Sequence, residues 1–159
     1  MKFKKLVSLS LTMIMSAGIL VGCGSNGDDA SNGEQIKVGM ITDVGGVHDE
    51  SFNQSSWEGL QSIKEEIGED KLYVNYLEST QDSDYKPNIE QFVEEEYDLI
   101  IGVGYKLADA LKEASTNYPD QQFALIDEVY DEQPENITSL SFESNESAYL
   151  AGLIAGKST

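Results

Sequence analysis

The sequence predicts an α/β fold with a mainly parallel, doubly wound sheet, and two observations lead to that fold class. From Gln35 onward, short apolar runs alternate with amphipathic stretches, which is typical of βα units. The run at 98–104 (DLIIGVG) is almost continuously apolar and rich in isoleucine, as in a strand that is covered on both faces. We therefore expect this strand to lie at the centre of the sheet.

The elements are predicted in alternating order along residues 35–159. The strands are expected at 36–42, 72–77, 98–104, 122–126 and 137–142, and the helices at 51–67, 88–96, 107–116 and 146–157. In the second helix, Pro87 lies near the first turn, and Ile89, Phe92 and Val93 form the predicted buried stripe.

The first helix has recognisable end signals. Ser51 and Gln54 have the spacing of a capping box, and Gly68 stands where a C-terminal cap is expected. The side chains that recur at helical spacing, and that we expect to be buried, are Trp57, Leu60, Ile63 and Ile67.

The N-terminus has the features of a bacterial lipoprotein leader. A basic start is followed by an apolar stretch and then by LVGC at 20–23, which matches a lipobox and predicts a signal peptide over 1–22. Cys23 would then be acylated and would anchor the chain on the extracytoplasmic face of the membrane, with 23–34 as lipid anchor and flexible tether. The alternatives are an ordinary signal peptide with an unrelated cysteine, or an uncleaved anchor helix.

The composition argues against nucleic acid and anionic lipid headgroups as binding partners. The chain carries 29 acidic and 10 basic side chains, with no arginine, and three of the lysines fall in the predicted leader. Such a surface repels nucleic acid and anionic headgroups, because binding either depends on clustered Lys or Arg. Cys23 is also the only cysteine, so no disulfide forms within the chain.

The candidate site is expected where parallel strands end, because ligands of open α/β sheets bind beyond the carboxyl ends of the strands. An aromatic ring and an amide, Phe52 and Asn53, fall in the first turn of the first helix at this rim, and they suit a flat heterocycle. The same spacing fits a capped helix whose Phe packs onto the loop. The other residues just past strand ends are Asp43, Gly45, Gly46, 78–80, Gly104, Tyr105, Asp127 and Glu128.

Several motifs together resemble those of one family. The lipobox, TDVGGVHDESFNQSSWEGL at 42–60, GVGY at 102–105, LIDEVYD at 125–131 and ESAYLAGLIAG at 146–156 are similar to the basic membrane protein family of bacterial lipoproteins, which includes purine nucleoside receptors. The resemblance runs from Cys23 to residue 159. It implies a type I periplasmic-binding-protein fold, in which two α/β lobes close on a nucleoside, and a permease of an ABC importer as partner.

The resemblance also implies roles for individual residues. Phe52 corresponds to the stacking aromatic with Asn53 beside it, Asp43 to the acid after the first strand, and Asp127 to the base-contacting aspartate. Gly104 and Tyr105 are added because they lie on the same rim. Residues 35–142 would form the N-terminal lobe and 143–159 the start of a second lobe that is largely absent. Alternatively, the last helix packs back on the sheet of a small complete domain.

Catalysis is the rival function class, and the sequence offers little for it. His48 is the only histidine, and His48, Asp49 and Glu50 are adjacent, so they cannot converge on one zinc ion without a further ligand. GVGYKLA lacks the third glycine of a dinucleotide fingerprint and the Lys-Ser/Thr of a phosphate loop. No metal, cofactor or enzymatic activity is therefore expected. A sensor, a surface antigen or a sugar-binding protein of the same fold remain alternatives.

Overall fold

The structure is a computed structural model that describes residues 35–158. Within that range, the strands are β1 (Ile36–Ile41), β2 (Leu72–Leu77), β3 (Leu99–Val103), β4 (Gln122–Ile126) and β5 (Ile137–Leu140). They form one parallel sheet in the order β2-β1-β3-β4-β5. The strand β3 lies in the middle, as the sequence predicts.

Four α-helices accompany the sheet in the described part of the chain: α1 (Phe52–Ile67), α2 (Tyr85–Glu94), α3 (Ala108–Asn117) and α4 (Ser144–Lys157). Short 3₁₀ turns precede α2 and α3. The helix α2 begins three residues earlier than predicted, because the carboxylate of Asp84 accepts hydrogen bonds from the backbone N–H groups of Thr80 and Gln81 and from the Thr80 hydroxyl. These bonds organise the turn from which the helix starts.

The two faces of the sheet are covered differently. On one face α2 and α3 pack over strand residues such as Ile100 and Phe123, with Phe92 fully buried between helix and sheet. On the other face α1 contributes Trp57 and Leu60 to a second core, whose buried strand residues are Val38, Met40, Leu72, Val74, Ile101, Val103 and Ala124. The alternation of side chains along each strand explains why neighbouring residues belong to different cores.

The predicted buried stripe of α1 is wrong in its second half. Ile63 and Ile67 are 49% and 40% exposed. The partly buried row of the helix instead runs through Trp57, Leu60 and Lys64, so Ile63 and Ile67 point away from the sheet. The predicted cap at Gly68 is confirmed, since its N–H donates to the Lys64 carbonyl and its φ is 103°.

The last helix, α4, does not pack on the sheet. All its side chains are exposed, including Leu150, Leu153 and Ile154, so the alternative of a helix folded back onto the sheet does not match the structure. Within residues 35–158 no helix is long and apolar enough to cross a membrane. The predicted signal peptide, Cys23 and the tether lie outside the described residues and stay predictions.

Candidate ligand-binding site

The carboxyl ends of the strands bring most of the predicted residues to one edge. The chain leaves β1 towards β2 on one side and then crosses to β3 on the other, so the strand order reverses at β1 and β3. This reversal is where open α/β sheets leave a crevice for ligands. Asp43 follows β1, Gly104 and Tyr105 follow β3, and Asp127 follows β4 directly.

The N-terminus of α1 is capped by Asp49, and the predicted capping box at Ser51 is wrong. The Ser51 side chain makes no capping hydrogen bond. Asp49 Oδ1 instead accepts from the backbone N–H groups of Ser51 and Gln54 at 2.9 and 3.0 Å, and its Oδ2 accepts from the N–H of Asn53 at 3.1 Å. A carboxylate placed before the helix therefore satisfies donors that a serine was expected to satisfy.

The charge of Asp49 is favoured by the same contacts. Burial alone would raise the pKa of this carboxyl. The hydrogen bonds from the backbone of Gln54, Ser51 and Asn53, and from the Asn53 side chain, outweigh burial and lower the pKa below its ordinary value of 3.8. A negative charge at this position also interacts favourably with the positive end of the helix dipole.

Asn53 is a buried link between the loop after β1 and α1. Its side chain is 2% exposed. Its Nδ2 donates to Asp43 Oδ1 at 2.8 Å and to Asp49 Oδ2 at 3.0 Å, and its Oδ1 accepts from the Asp43 N–H at 3.3 Å. Both amide hydrogens are thus used inside the protein, and the structure gives Asn53 the geometry of a residue that positions Asp43.

Asp43 has one occupied and one open carboxylate oxygen. Oδ1 accepts from Asn53 and from the Gly45 N–H at 2.9 Å. Oδ2 faces Lys106 Nζ at 3.9 Å, across the gap between the loops after β1 and β3. Tyr105, the neighbour of Lys106, is largely exposed on the same rim. Lys106 is not predicted from the sequence, because nothing in GVGYKLA indicates which loop its side chain reaches.

A cleft lined by aromatic rings opens next to the hydrogen-bonded residues Asn53 and Asp43. The Phe52 ring, 46% exposed, lies 6.2 Å from the Phe142 ring, centroid to centroid, with the planes tilted by 46°. Phe142 is 59% exposed and was missed as a site residue, because the predicted fifth strand extended over it whereas β5 ends at Leu140. The cleft has a volume of about 560 Å³ and is lined by Ser51, Phe52, Ser55, Ser56, Ile126 and Phe142.

Gly104 and Asp127 both have left-handed backbone conformations, with φ of 91° and 65°. Gly104 adopts this conformation without steric cost, and its N–H donates to the Ile126 carbonyl at 3.0 Å. In Asp127 the N–H donates to the Leu140 carbonyl at 2.7 Å. Among the described residues no hydrogen bond or ion pair reaches the Asp127 carboxylate, so its oxygens are free to accept from a ligand.

Of the predicted residues, Asn53 and Asp43 are joined by hydrogen bonds. Two residues that were not predicted lie against the predicted ones: Lys106 faces Asp43, and Phe142 contacts Phe52. The side chains of Tyr105 and Asp127 lie on the same edge without a polar contact to Asp43 in the described structure. Within residues 35–158, no group of three or more His, Cys, Asp or Glu side chains is arranged to hold a metal ion.

Comparison with known families agrees with this architecture. The model of the Bmp family, described as "ABC transporter substrate-binding protein PnrA-like", matches residues 36–159. The chain belongs to the Bmp family. The family predicted from the sequence motifs is therefore confirmed.

Relatives of this Bmp-family chain include proteins whose names indicate different roles. A "CD4+ T-cell-stimulating antigen" of Listeria innocua is 43% identical over 98% of this chain and 46% of the relative. The "ABC transporter nucleoside-binding protein BmpA" of Lactococcus lactis is 39% identical over 98% of this chain and 45% of the relative. The chain thus spans less than half the length of these relatives.

A solved structure supports the fold. The solute-binding protein of an ABC transporter system from Aeropyrum pernix K1 is 33% identical, with a TM-score of 0.69 over 76% of this chain and 32% of that chain. The predicted fold class, an α/β lobe of a periplasmic-binding-protein type, is confirmed.

Proposed function

We propose that this chain forms the N-terminal ligand-binding lobe of a lipid-anchored substrate-binding protein that delivers a nucleoside, with a purine base, to an ABC importer. The observation that carries the proposal is the half-exposed Phe52 ring, held at the carboxyl edge of the sheet beside an acid whose position is set by a buried amide. Membership of the PnrA-like family supports the same conclusion.

Phe52 is the residue we propose for stacking on the base. Its position in the first turn of α1 is set by the hydrogen bonds of Asp49 to Ser51, Asn53 and Gln54. The exposed face of the ring offers an apolar, flat surface of the kind on which heterocycles stack. Base stacking on an aromatic side chain is worth about 1–3 kcal/mol in proteins that bind single-stranded nucleic acid, which gives the scale of the contribution.

We assign the polar contacts with the ligand to the acidic residues Asp127 and Asp43 at the carboxyl edge of the sheet. Asp127, with its free carboxylate, would accept hydrogen bonds from the N–H groups of the base. Asp43 Oδ2 would accept from a sugar hydroxyl. Asn53 takes part through Asp43, because its own donors are occupied. Gly104 and Tyr105 complete the rim, the glycine through its backbone and the tyrosine through an exposed ring.

The cellular setting follows from the N-terminal sequence and the family. We propose that Cys23 is acylated and holds the lobe on the extracytoplasmic face of the membrane, that a membrane permease receives the ligand, and that the protein catalyses no reaction. A second lobe, entered through α4, would supply the other half of the site. Exposed apolar side chains along α4 support this role, since a helix with Leu150, Leu153 and Ile154 in water gains free energy when it is covered.

A second candidate function is presentation at the cell surface as an antigen or as a ligand-loaded sensor. It is favoured by the name of the Listeria innocua relative, "CD4+ T-cell-stimulating antigen". Both functions would use the same lobe, and fold alone does not separate them. Uptake of a radiolabelled nucleoside by cells with and without the gene separates them, because a surface antigen or sensor leaves uptake unchanged.

The binding proposal is tested by isothermal titration. Adenosine, guanosine, inosine, uridine and ribose are titrated into residues 24–159, and into a chimera in which residues 24–159 precede the unmatched part of the Lactococcus lactis relative. We expect the chimera to bind at least one purine nucleoside more tightly than ribose, and residues 24–159 to bind more weakly. Binding of ribose alone, or of no nucleoside by the chimera, would contradict the proposal.

A further inference from the structure

The paired glycines of the loop between β1 and α1 let two carboxylates approach its backbone. A Cβ at Gly45 would lie 3.1 Å from Asp43 Oδ1, and a Cβ at Gly46 would lie 3.0 Å from Glu78 Oε1, both shorter than ordinary van der Waals contacts. Gly46 also has a φ of 71°, a left-handed conformation that glycine adopts without steric cost. The first carboxylate belongs to the loop itself, whereas the second comes from the end of β2. The loop therefore passes directly against Glu78.

Glu78 holds the middle of this loop through the Val47 backbone. The Val47 N–H donates to Glu78 Oε1 at 2.8 Å, a short bond to a charged acceptor. The Val47 side chain is 2% exposed and packs in the core that lies between α1 and the sheet. This one residue is thus fixed twice, by its side chain in the core and by its N–H at the end of β2.

The backbone that carries Glu78 is itself held in place. Asn88 Nδ2, from α2, donates to the Glu78 carbonyl at 3.2 Å and to Ser79 Oγ at 3.1 Å. The Ser79 N–H donates to Thr42 Oγ1 at 3.3 Å, and both of these residues are buried. The loop after β2 is therefore tied to α2 and to the end of β1, which makes the Glu78 carboxylate a firm support for its neighbour.

The segment that Glu78 holds leads directly to the start of α1. Asp49 lies two residues after Val47 and caps the helix by accepting from backbone N–H groups of its first turn. Phe52 lies in the same turn, and its ring lines the cleft. A displacement of Val47 therefore moves the cap and, with it, the ring.

We propose that Glu78 is a positioning residue for ligand binding, which holds the β1–α1 loop from the end of β2 and so keeps Phe52 in place. It acts through the loop and not by touching the ligand. Glu78 is exposed, so water can satisfy the Val47 N–H when the carboxylate is removed, but water does not tie the loop to β2. A loop that must be ordered on binding lowers the affinity, because ordering costs conformational entropy. The inference deepens the proposed nucleoside function and rests on it.

The test is a double-mutant cycle between Glu78 and Phe52 in the chimera. Adenosine, or the purine nucleoside that binds best, is titrated into the wild type, Glu78→Ala, Phe52→Ala and the double variant. We expect Glu78→Ala to bind roughly two- to tenfold more weakly than the wild type, as for the loss of one intramolecular hydrogen bond. In the Phe52→Ala background the same substitution should have little further effect, because the ring that Glu78 positions is gone.

Two further variants separate the hydrogen bond from the charge. Glu78→Gln keeps an oxygen that accepts from the Val47 N–H, so it should retain most of the affinity. Glu90→Ala removes a carboxylate from an exposed position on α2 and should bind like the wild type. Hydrogen exchange of the unliganded chimera should be faster at the Val47 amide in Glu78→Ala than in Glu78→Gln, with the amides of β3 unchanged.

The outcomes separate this inference from the proposed function. If Glu78→Ala binds as tightly as the wild type, or loses the same factor of affinity with and without the Phe52 ring, the positioning role is overturned and nucleoside binding stands. If Glu78→Gln binds as weakly as Glu78→Ala, the charge and not the tie to the loop is responsible, which also overturns the role. If the wild-type chimera binds no nucleoside, the proposed function is overturned and the inference with it. Thermal unfolding of each variant shows that a changed affinity does not come from a misfolded lobe.

Discussion

The side chain of Asn53 and the residue Asp43 hold each other through two reciprocal hydrogen bonds. Asn53 Nδ2 donates to Asp43 Oδ1 at 2.8 Å, and the Asp43 N–H donates to Asn53 Oδ1 at 3.3 Å. One bond orients the carboxylate and the other fixes the backbone of the loop after β1. The start of α1 and the end of β1 therefore form one polar unit, on which the geometry of the rim depends.

Replacing Asn53 by Ala should weaken both the fold and the site. The variant leaves the Asp43 N–H without its partner and removes one of the two donors to Asp43 Oδ1, in a partly buried setting, so the free energy of unfolding should fall by about 1–3 kcal/mol. Nucleoside affinity should fall as well, because Asp43 loses its orientation. Urea unfolding measures the first effect and titration the second. The matched control is Asn145→Ala, an exposed residue of α4, and equal stability losses in the two variants would contradict this role of Asn53.

Asp49 should make stability depend on pH. Its pKa is lowered in the folded lobe, so its ionised form contributes stability above the unfolded value of 3.8, and this contribution is lost as pH falls through the lower folded value. Asp49→Asn keeps one acceptor oxygen but places an NH₂ group against the two donors of Asn53, so it should be less stable at pH 7 by about 1–3 kcal/mol. The difference from wild type should shrink towards pH 2.

Urea unfolding at a series of pH values measures this prediction. Asp120→Asn, an exposed carboxyl at the opposite end of the sheet, serves as the control. If wild type and Asp49→Asn keep a constant difference from pH 7 down to pH 2, ionisation of Asp49 does not contribute.

Two glycines should respond oppositely to alanine. A Cβ at Gly102 would lie 2.6 Å from Leu111 Cδ1 and 3.2 Å from Leu107 Cβ, so Gly102→Ala should destabilise the lobe by about 1–3 kcal/mol through overpacking. Gly59, inside α1, has nothing within 4 Å of that position, and Gly59→Ala should stabilise by about 0.5–1 kcal/mol. Thermal unfolding distinguishes the two, and a stabilised Gly102→Ala would show that α3 packs on β3 less closely than described.

Phe142 should support Phe52 in ligand binding. The tilted pair is worth about 0.5–1.5 kcal/mol on the scale of aromatic contacts, so Phe142→Ala in the chimera should lower nucleoside affinity roughly two- to tenfold. Leu140→Ala is the control, since Leu140 is also half-exposed but does not line the cleft. If Phe142→Ala binds the nucleoside with the same affinity as Leu140→Ala, Phe142 does not contribute to the site.

Much of the fold follows from local sequence signals. The strands at 72–77 and 122–126 have the predicted bounds, because turn-forming residues flank short apolar runs on both sides. The parallel sheet and the position of β3 follow from alternation and from the continuous apolar run. Apolar periodicity predicts too late a start for α2, because it does not reveal the turn that the Asp84 carboxylate organises.

The site was harder to predict than the fold, for physical reasons. The sequence indicates which residues follow strand ends, and so it selects Asp43, Tyr105 and Asp127. It does not indicate that Asp49 caps α1, because Ser51 has the same propensity and the choice depends on loop geometry. The contact of Lys106 with Asp43 joins loops that are far apart in the chain, so only the folded sheet reveals it.

Stacking on Phe52 is tested most directly by titrating adenosine, or the purine nucleoside that binds best, into the chimera carrying Phe52→Ala. Loss of the stacking ring should lower the affinity by about 1–3 kcal/mol, roughly 5- to 150-fold, while Phe52→Tyr should retain most of it. Tyr73→Ala, which removes a half-exposed ring from β2, should bind like the wild type. An unchanged affinity in Phe52→Ala would contradict the proposal that the nucleoside stacks at the carboxyl edge of this sheet.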